Sequence, residues 1–291
     1  MKSTPKTIQI FLPGGNPRGI RIAEITTRIL QVIEVPRSLL TDFLNMPESN
    51  QVALYFLIGT SDDTDEPEAY IGQTGDLKAR LKKHNQEKSF WERALVVISR
   101  TNSLTQTHAL FLEWQCLQSV NDAGRYGVHN STGGTRPHTP APMEADCYEV
   151  FETASTLLAT LGCPLFTPLL QKKTEASDEE DGQRFYCTGP GVEGKGIYGA
   201  EGFIVLKGSF GRSEDRPSLA VHSYSKLRPN LVKSGVCSID GDKIVFEQDH
   251  LFGKPSKASA ALYGRSSNGW TDWKTKCGKN LDEVIRQAEG T

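Results

Sequence analysis

A polar, acidic stretch with the sequence KKTEASDEEDGQ interrupts the chain at residues 172–183. It contains five acidic side chains between Glu175 and Asp181 and no aliphatic side chain larger than that of alanine. Such a stretch cannot bury enough apolar surface to offset the entropy lost on folding. We therefore predict an acidic linker at residues 171–183, which separates a larger N-terminal unit from a C-terminal domain at residues 184–291.

The composition of the chain is that of a folded protein, and it restricts what the protein can bind. Hydrophobic residues make up 37% of the chain and charged residues 23%, which excludes a fully disordered protein. No run of about 18 apolar residues occurs, so we expect neither a transmembrane helix nor a membrane partner. The 33 basic and 35 acidic residues leave no general basic coat, so contact with DNA would require a local basic patch.

Two further features of the sequence favour a cytoplasmic location. The first residues, MKSTPKTIQIFLPGG, include no apolar region followed by a small-residue cleavage site, so we expect no secretory signal. The six cysteines include no close pair of the kind that binds zinc, and we expect all six to be reduced thiols. None of them is assigned a catalytic role.

The N-terminal unit has two parts. Residues 1–50 are rich in Ile and Val with Gly and Pro between them, which predicts a strand-rich segment. Residues 52–59, VALYFLIG, indicate a buried strand, and residues 69–73, AYIGQ, indicate the returning strand of a hairpin. Side chains alternate along a strand, so Tyr55 lies on one face of the first strand, and Tyr70 and Gly72 share one face of the second. If these faces coincide, two phenols lie side by side next to a glycine.

A helix should begin at about residue 76, because four side chains there have the spacing of a single helix face: Leu77, Arg80, Leu81 and His84. An arginine on the inward face requires an anion or a hydrogen-bond partner. A third strand is expected at residues 94–99, and a second helix at about residues 105–120. Glu113 lies within the apolar stripe of that helix, where a carboxylate is costly unless it is paired, neutral or bound to a metal.

The order of these residues resembles that of the GIY-YIG nuclease family. The resemblance covers about residues 51–150 and rests on Tyr55, on Tyr70-Ile71-Gly72, on Arg80-x-x-x-His84 and on Glu113. The first motif departs from the family name, since the chain has Ala53-Leu54-Tyr55 in place of Gly-Ile-Tyr. A literal Gly-Ile-Tyr at residues 196–198 is not followed by the other motifs, and we interpret it as a coincidence.

The resemblance implies an α/β fold of the α+β type, with a three-stranded antiparallel sheet flanked by helices. It also implies a DNA endonuclease that hydrolyses phosphodiester bonds with one Mg²⁺ or Mn²⁺. Glu113 would be the metal ligand, Arg80 would hold the scissile phosphate, and Tyr55 would be the general base for the attacking water. A phenol has a reference pKa of about 10, so Tyr55 would need help from nearby positive charge. Tyr70 and His84 would orient water or phosphate.

A local basic surface accompanies these residues. The expected contacts with DNA in this unit are Gly72, Lys78, Lys82, Lys83 and Asn130, the last as the asparagine of the family pattern. Arg93 and Arg100 could extend the patch. A solvated helix face explains the lysines equally well.

The C-terminal domain is expected to be a small mixed α/β domain with strands at residues 185–188, 202–207 and 243–246 and a closing helix at residues 281–288. Its segment GRSSNGWTDWK resembles an uncharacterised domain similar to modules attached to restriction enzymes and adenine methylases. That resemblance implies DNA contact through Arg265, Asn268 and Trp270, which can bind phosphate or stack on bases. The alternative is a turn at Asn268-Gly269, with Trp273 in the core, and for Trp273 we favour the core.

Two other functions stay open. The negative net charge and the altered first motif are compatible with a non-catalytic protein that binds DNA, for example a reader of modified DNA in a defence or mobile-element system. A weaker alternative is an interaction protein of such a system that does not bind nucleic acid.

Overall fold

The computed structural model describes residues 4–64, 66–130, 133–169, 184–217, 219 and 224–287. The chain forms two compact units, Met1–Pro168 and Leu169–Thr291. Both units combine a multi-stranded sheet with helices, which confirms the predicted mixed α/β fold of the α+β type. The predicted acidic linker at residues 171–183 lies outside the described residues.

The first unit is built on a seven-stranded sheet with the strand order β1-β2-β3-β6-β4-β5-β7. Its strands are β1 (Ile8–Phe11), β2 (Arg21–Ile25), β3 (Leu30–Pro36), β4 (Ala53–Thr60), β5 (Pro67–Thr74), β6 (Trp91–Ser99) and β7 (Gly127–Val128). Neighbouring strands are antiparallel except β5 and β7, which are parallel. The three expected antiparallel strands are β4, β5 and β6. The strands of residues 1–50 extend the same sheet, because β3 pairs with β6.

Helices cover both faces of this sheet. They are α1 (Leu40–Leu44), α2 (Leu77–Glu87), α3 (Gln106–Ala123) and α4 (Ala141–Thr160), and two short 3₁₀ turns lie at Arg37–Leu39 and Pro47–Asn50. Phe56 and other alternate residues of β4 pack with α3 and α4, and Tyr55 and Leu57 pack with α1 and α2. Because β4 is buried on both faces, its sequence is a continuous apolar run.

The second unit contains a second seven-stranded sheet, with the order β12-β13-β11-β9-β10-β14 and with β8 paired to β9. Its strands are β8 (Arg184–Gly189), β9 (Val192–Gly199), β10 (Gly202–Val205), β11 (Phe210–Arg212), β12 (Cys237–Asp240), β13 (Lys243–Phe246) and β14 (His250–Phe252). The helices are α5 (Leu227–Lys233), α6 (Pro255–Tyr263), α7 (Gly269–Asp272) and α8 (Leu281–Ile285). The predicted closing helix therefore ends earlier than expected, at Ile285.

Two predictions about this second unit can be compared with the structure, and the one for Trp273 is confirmed. Trp273 is fully buried, with its ring 4.2 Å from that of Phe203 and its Nε1–H donated to the carbonyl of Pro255. The literal Gly-Ile-Tyr lies on β9, where a Cβ atom at Gly196 would come within 2.3 Å of the Phe203 ring. That glycine is thus explained by strand packing.

None of the helices in the described part of the chain combines the length and the apolar character needed to cross a membrane. The six cysteines are free thiols, and all except Cys277 are buried.

Candidate active site

The hairpin of β4 and β5 brings the two tyrosines to one face of the sheet. Tyr55 lies directly opposite Gly72, and Leu57 lies opposite Tyr70. Directly opposed residues of an antiparallel pair point to the same face, so the two phenols are neighbours. Their ring centroids are 6.3 Å apart.

Gly72 makes room for the Tyr55 ring. A Cβ atom at this position would lie 2.3 Å from the hydroxyl oxygen of Tyr55 and 2.5 Å from Cζ. No side chain fits there without displacing the phenol. The glycine of the second motif therefore has a steric function in this fold.

Helix α2 carries two polar side chains to the Tyr55 hydroxyl. The helix begins after Asp76, whose carboxylate accepts a hydrogen bond from the N–H of Ala79. Burial of Leu77 and Leu81 turns the same face towards the sheet. Arg80 Nε then donates to the Tyr55 hydroxyl oxygen at 3.1 Å, and His84 Nε2 lies 2.9 Å from that oxygen.

The charge states around this hydroxyl fix the direction of the hydrogen bonds. Burial, helped by the charges of Arg80 and Lys88, lowers the pKa of His84 to about 4, so the imidazole is neutral near pH 7. Burial also raises the pKa of Tyr55 above its usual value, although the hydrogen bond from Arg80 opposes this. The Tyr55 hydroxyl therefore donates to His84 Nε2 and accepts from Arg80. The positive charge that the sequence suggested as an aid to Tyr55 ionisation is present, but burial outweighs it.

The second nitrogen of His84 is notable. Since Nε2 accepts the Tyr55 proton, the neutral imidazole carries its hydrogen on Nδ1. Nδ1 is buried and has no hydrogen-bond partner among the described residues. A buried polar atom without a partner costs free energy, which is common where a group is held for function.

Glu113 lies on α3 and contacts the backbone of β5 at Gln73. It is half-buried on α3, and burial raises the pKa of its carboxyl group. The N–H of Gln73 donates to this carboxylate, and the charge of Arg80 stabilises its ionised form. The side chain of Gln106, in the first turn of α3, also bonds the side chain of Gln73. These contacts place the glutamate at Gln73, where the charge of Arg80 acts on it.

The carboxylate of Glu113 determines which kind of metal site these residues could form. In the part of the chain that the structure describes, no three His, Cys, Asp or Glu side chains come together as a metal-binding group. Mg²⁺ at phosphoryl-transfer sites commonly takes only one or two carboxylates and fills its shell with water and substrate oxygens. Glu113 fits a site of that kind.

Asn130 is occupied by the backbone of the hairpin. Its Oδ1 accepts from the N–H of Ile71 at 3.0 Å, and its Nδ2 donates to the carbonyl of Ile71 at 2.7 Å. The side chain continues the pairing of β7 with β5 between Tyr70 and Gly72. In this position it orders the strand that carries both residues.

The residues of the expected basic patch differ in their partners. Lys78, Lys82 and Lys83 lie on α2, and Lys83 pairs with Glu87 at 3.8 Å. Arg93 pairs with Glu34 of β3, and Arg100 pairs with Glu24 of β2.

Sequence reasoning missed a cation that lies closer to the site. The ammonium nitrogen of Lys88 lies 4.4 Å from the ring centroid of Tyr70. Its position continues the four-residue spacing of Arg80 and His84 by one more step, and this spacing was the signal that could have revealed it.

The C-terminal candidates lie in the second unit and have local partners. Asn268 caps α7 by accepting from the N–H of Trp270. The Arg286 guanidinium lies 3.6 Å from the ring centroid of Trp270, and the Arg265 guanidinium stacks on Tyr263. Gly269 packs so tightly on Pro255 that a Cβ atom would come within 2.1 Å of its carbonyl carbon. These contacts support the turn interpretation of Asn268-Gly269.

Comparison with known proteins bears on the second unit only. Residues 185–285 match the family described as a domain of unknown function, DUF4357. Comparison of the chain with the curated proteins and with the solved structures gave no match.

Proposed function

We propose that the first unit is a metal-dependent DNA endonuclease of the GIY-YIG type. The observation that carries this proposal is the hydrogen-bonded set Arg80–Tyr55–His84, with Glu113 held in the field of Arg80. These residues are distant along the chain, and each has a defined task in phosphodiester hydrolysis. We propose a cytoplasmic location on the basis of the six free thiols.

The proposed path of the proton follows from the neutral state of the Tyr55 phenol and the His84 imidazole. A free tyrosinate is disfavoured at Tyr55 because burial raises its pKa. Tyr55 instead takes a proton from the attacking water while it gives its own proton to His84 Nε2, 2.9 Å away. A phosphate bound at Arg80 would bring negative charge close to His84. This charge raises the pKa of the imidazole and favours the transfer.

Arg80 and Glu113 would bind the phosphate and the metal ion, respectively. Arg80 has five N–H donors, and the one on Nε serves Tyr55, so the terminal nitrogens retain donors for phosphate oxygens. Glu113 would hold a Mg²⁺, which when bound offsets negative charge on the leaving 3′ oxygen. The N–H of Gln73 fixes the orientation of the Glu113 carboxylate.

The test is cleavage of supercoiled plasmid and of single-stranded DNA by the full chain, with Mg²⁺ or Mn²⁺ and with EDTA. We expect divalent-dependent cleavage that the Glu113→Gln substitution abolishes. The matched control is Glu92→Gln, because Glu92 is an exposed residue of β6. Cleavage that survives in Glu113→Gln would remove this residue from the mechanism.

A non-catalytic DNA-binding protein is the second candidate. The raised pKa of Tyr55 favours it, because a buried phenol is a poor base unless the relay to His84 operates. In that case the protein would bind DNA without product formation at any divalent concentration, and Arg80→Ala would leave binding unchanged.

A further inference from the structure

The face of β5 that carries the candidate active site continues beyond it. Gly72, Tyr70 and Glu68 alternate on one face of this strand, each about 6.6 Å from the next. Two other segments supply side chains over this extension, namely the residues that follow α2 and the residue that follows β7. They bring Lys88, Phe90 and His129 to the same strand.

Lys88 places a positive charge at the first step of this extension. Its ammonium nitrogen lies over the ring of Tyr70 at 4.4 Å, and its charge contributes to the lowered pKa of His84. The charges of Arg80 and Lys88 therefore both act on His84. A nucleic-acid strand whose phosphate is held by Arg80 has further phosphates on both sides, and one of them would meet Lys88.

Phe90 and His129 form a flat aromatic pair at the second step. Their ring centroids are 4.0 Å apart and the ring planes differ by 11°. The pair is held in place because His129 Nε2 lies 2.7 Å from the Glu68 carboxylate and the His129 N–H donates to the carbonyl of Ala69. The His129 side chain remains 37% exposed, so a flat ring is presented to solvent in a fixed orientation.

We propose that Lys88, Phe90 and His129 form a subsite for one nucleotide that flanks the scissile phosphate, with its phosphate on Lys88 and its base stacked on His129. The inference rests on the proposed nuclease function. Histidine and phenylalanine rings are common stacking platforms for bases in single strands. A base inside a duplex is already stacked on both sides, so the base that reaches His129 is unpaired. The subsite therefore selects single-stranded or locally unpaired DNA.

The Glu68 carboxylate is an acidic group in direct contact with this platform. It is bonded to Nε2 at the edge of the His129 ring, so it does not occupy the face of the ring on which the base would stack. Lys88 lies towards Tyr70, on the side of the active site. The phosphate of the nucleotide would thus contact the cation of Lys88, and its base would contact the flat ring of His129.

The test is the binding of a fluorescein-labelled single-stranded oligonucleotide, and of the duplex of the same sequence, by fluorescence anisotropy. The full chain is used in EDTA, so that divalent-dependent cleavage does not interfere, and the salt concentration is varied. We expect Lys88→Gln to reduce the salt slope for the single strand by about 0.7. We expect His129→Ala to weaken binding of the single strand by about fivefold or more, and of the duplex much less.

The matched control is Lys6→Gln, which also removes one positive charge but at a side chain that pairs with Glu152 of α4. It should leave the salt slope unchanged. If Lys88→Gln and His129→Ala bind DNA like the wild type, or lose affinity for the single strand and the duplex equally, the subsite is wrong while the nuclease proposal stands. If the wild type binds neither DNA, the subsite and the nuclease proposal fall together.

Discussion

The hydroxyl oxygen of Tyr55 lies 2.9 Å from Nε2 of His84. The two residues belong to β4 and α2, and they meet because Leu77 and Leu81 bury the same face of α2 against the sheet. With a neutral imidazole and a protonated phenol, this contact is a hydrogen bond in which Tyr55 is the donor. It connects the residue proposed to take a proton from water to a base that can receive one.

Tyr55→Phe should remove this connection while preserving the ring. The substitution leaves the Arg80 Nε–H and the buried His84 Nε2 without their shared partner. We expect the single-turnover cleavage rate to fall by about 100-fold or more, because general base catalysis is lost. Urea unfolding should show a stability loss of about 1–2 kcal/mol. Tyr148→Phe, at an exposed tyrosine of α4, is the control and should change neither quantity.

Gly72→Ala should displace the phenol. The added Cβ would lie 2.3 Å from the Tyr55 hydroxyl oxygen, so the ring must move and its bonds to Arg80 and His84 must lengthen. We expect destabilisation by about 1–3 kcal/mol, together with loss of cleavage. Gly127→Ala on β7 is the matched control, because the atom nearest to its added Cβ would be 3.7 Å away. A Gly72→Ala protein with wild-type stability and rate would contradict the steric function of this glycine.

The stability of the protein should fall between pH 7 and pH 5 partly because of His84. Its pKa is about 4 in the folded protein and about 6.5 in the unfolded chain. Between these values the unfolded state binds more protons, so the free energy of unfolding decreases as the pH falls. We expect His84→Gln to reduce this pH dependence by about 1–2 kcal/mol, measured as urea midpoints multiplied by m values. An identical pH dependence in both proteins would rule out a neutral buried His84.

Asn130→Ala should show whether Asn130 positions β5 or contacts DNA. The substitution removes two hydrogen bonds to the buried Ile71 backbone, at a cost of about 1–3 kcal/mol. We expect thermal stability and cleavage rate to fall, since β5 loosens between Tyr70 and Gly72. The salt slope of DNA binding should stay the same. A smaller slope with unchanged stability would instead place Asn130 on the DNA.

The elements that the sequence identified well are those whose signals are local. The spacing of Leu77, Leu81 and His84 predicted α2, and the structure confirms the helix and its buried face. The apolar runs predicted β4 and most of β6. Helix α4 was missed, because its buried side chains include Cys147, Thr153 and Ala154, which give a weak apolar period.

The pairing of β3 with β6 joins residues far apart in the chain, and no local pattern encodes such a contact. For the same reason the sequence could not place Phe90 against His129, or Asn130 against Ile71.

By itself, the sequence determined which residues lie on the inward face of α2 and on the alternating faces of the hairpin, because helix and strand periods are properties of the local backbone. Only the tertiary structure decided that the faces of β4 and β5 coincide, that Glu113 meets Gln73, and that Tyr55 keeps its proton. The physical reason is that strand register and burial depend on contacts between distant segments. Burial in turn sets the pKa values on which the proposed chemistry depends.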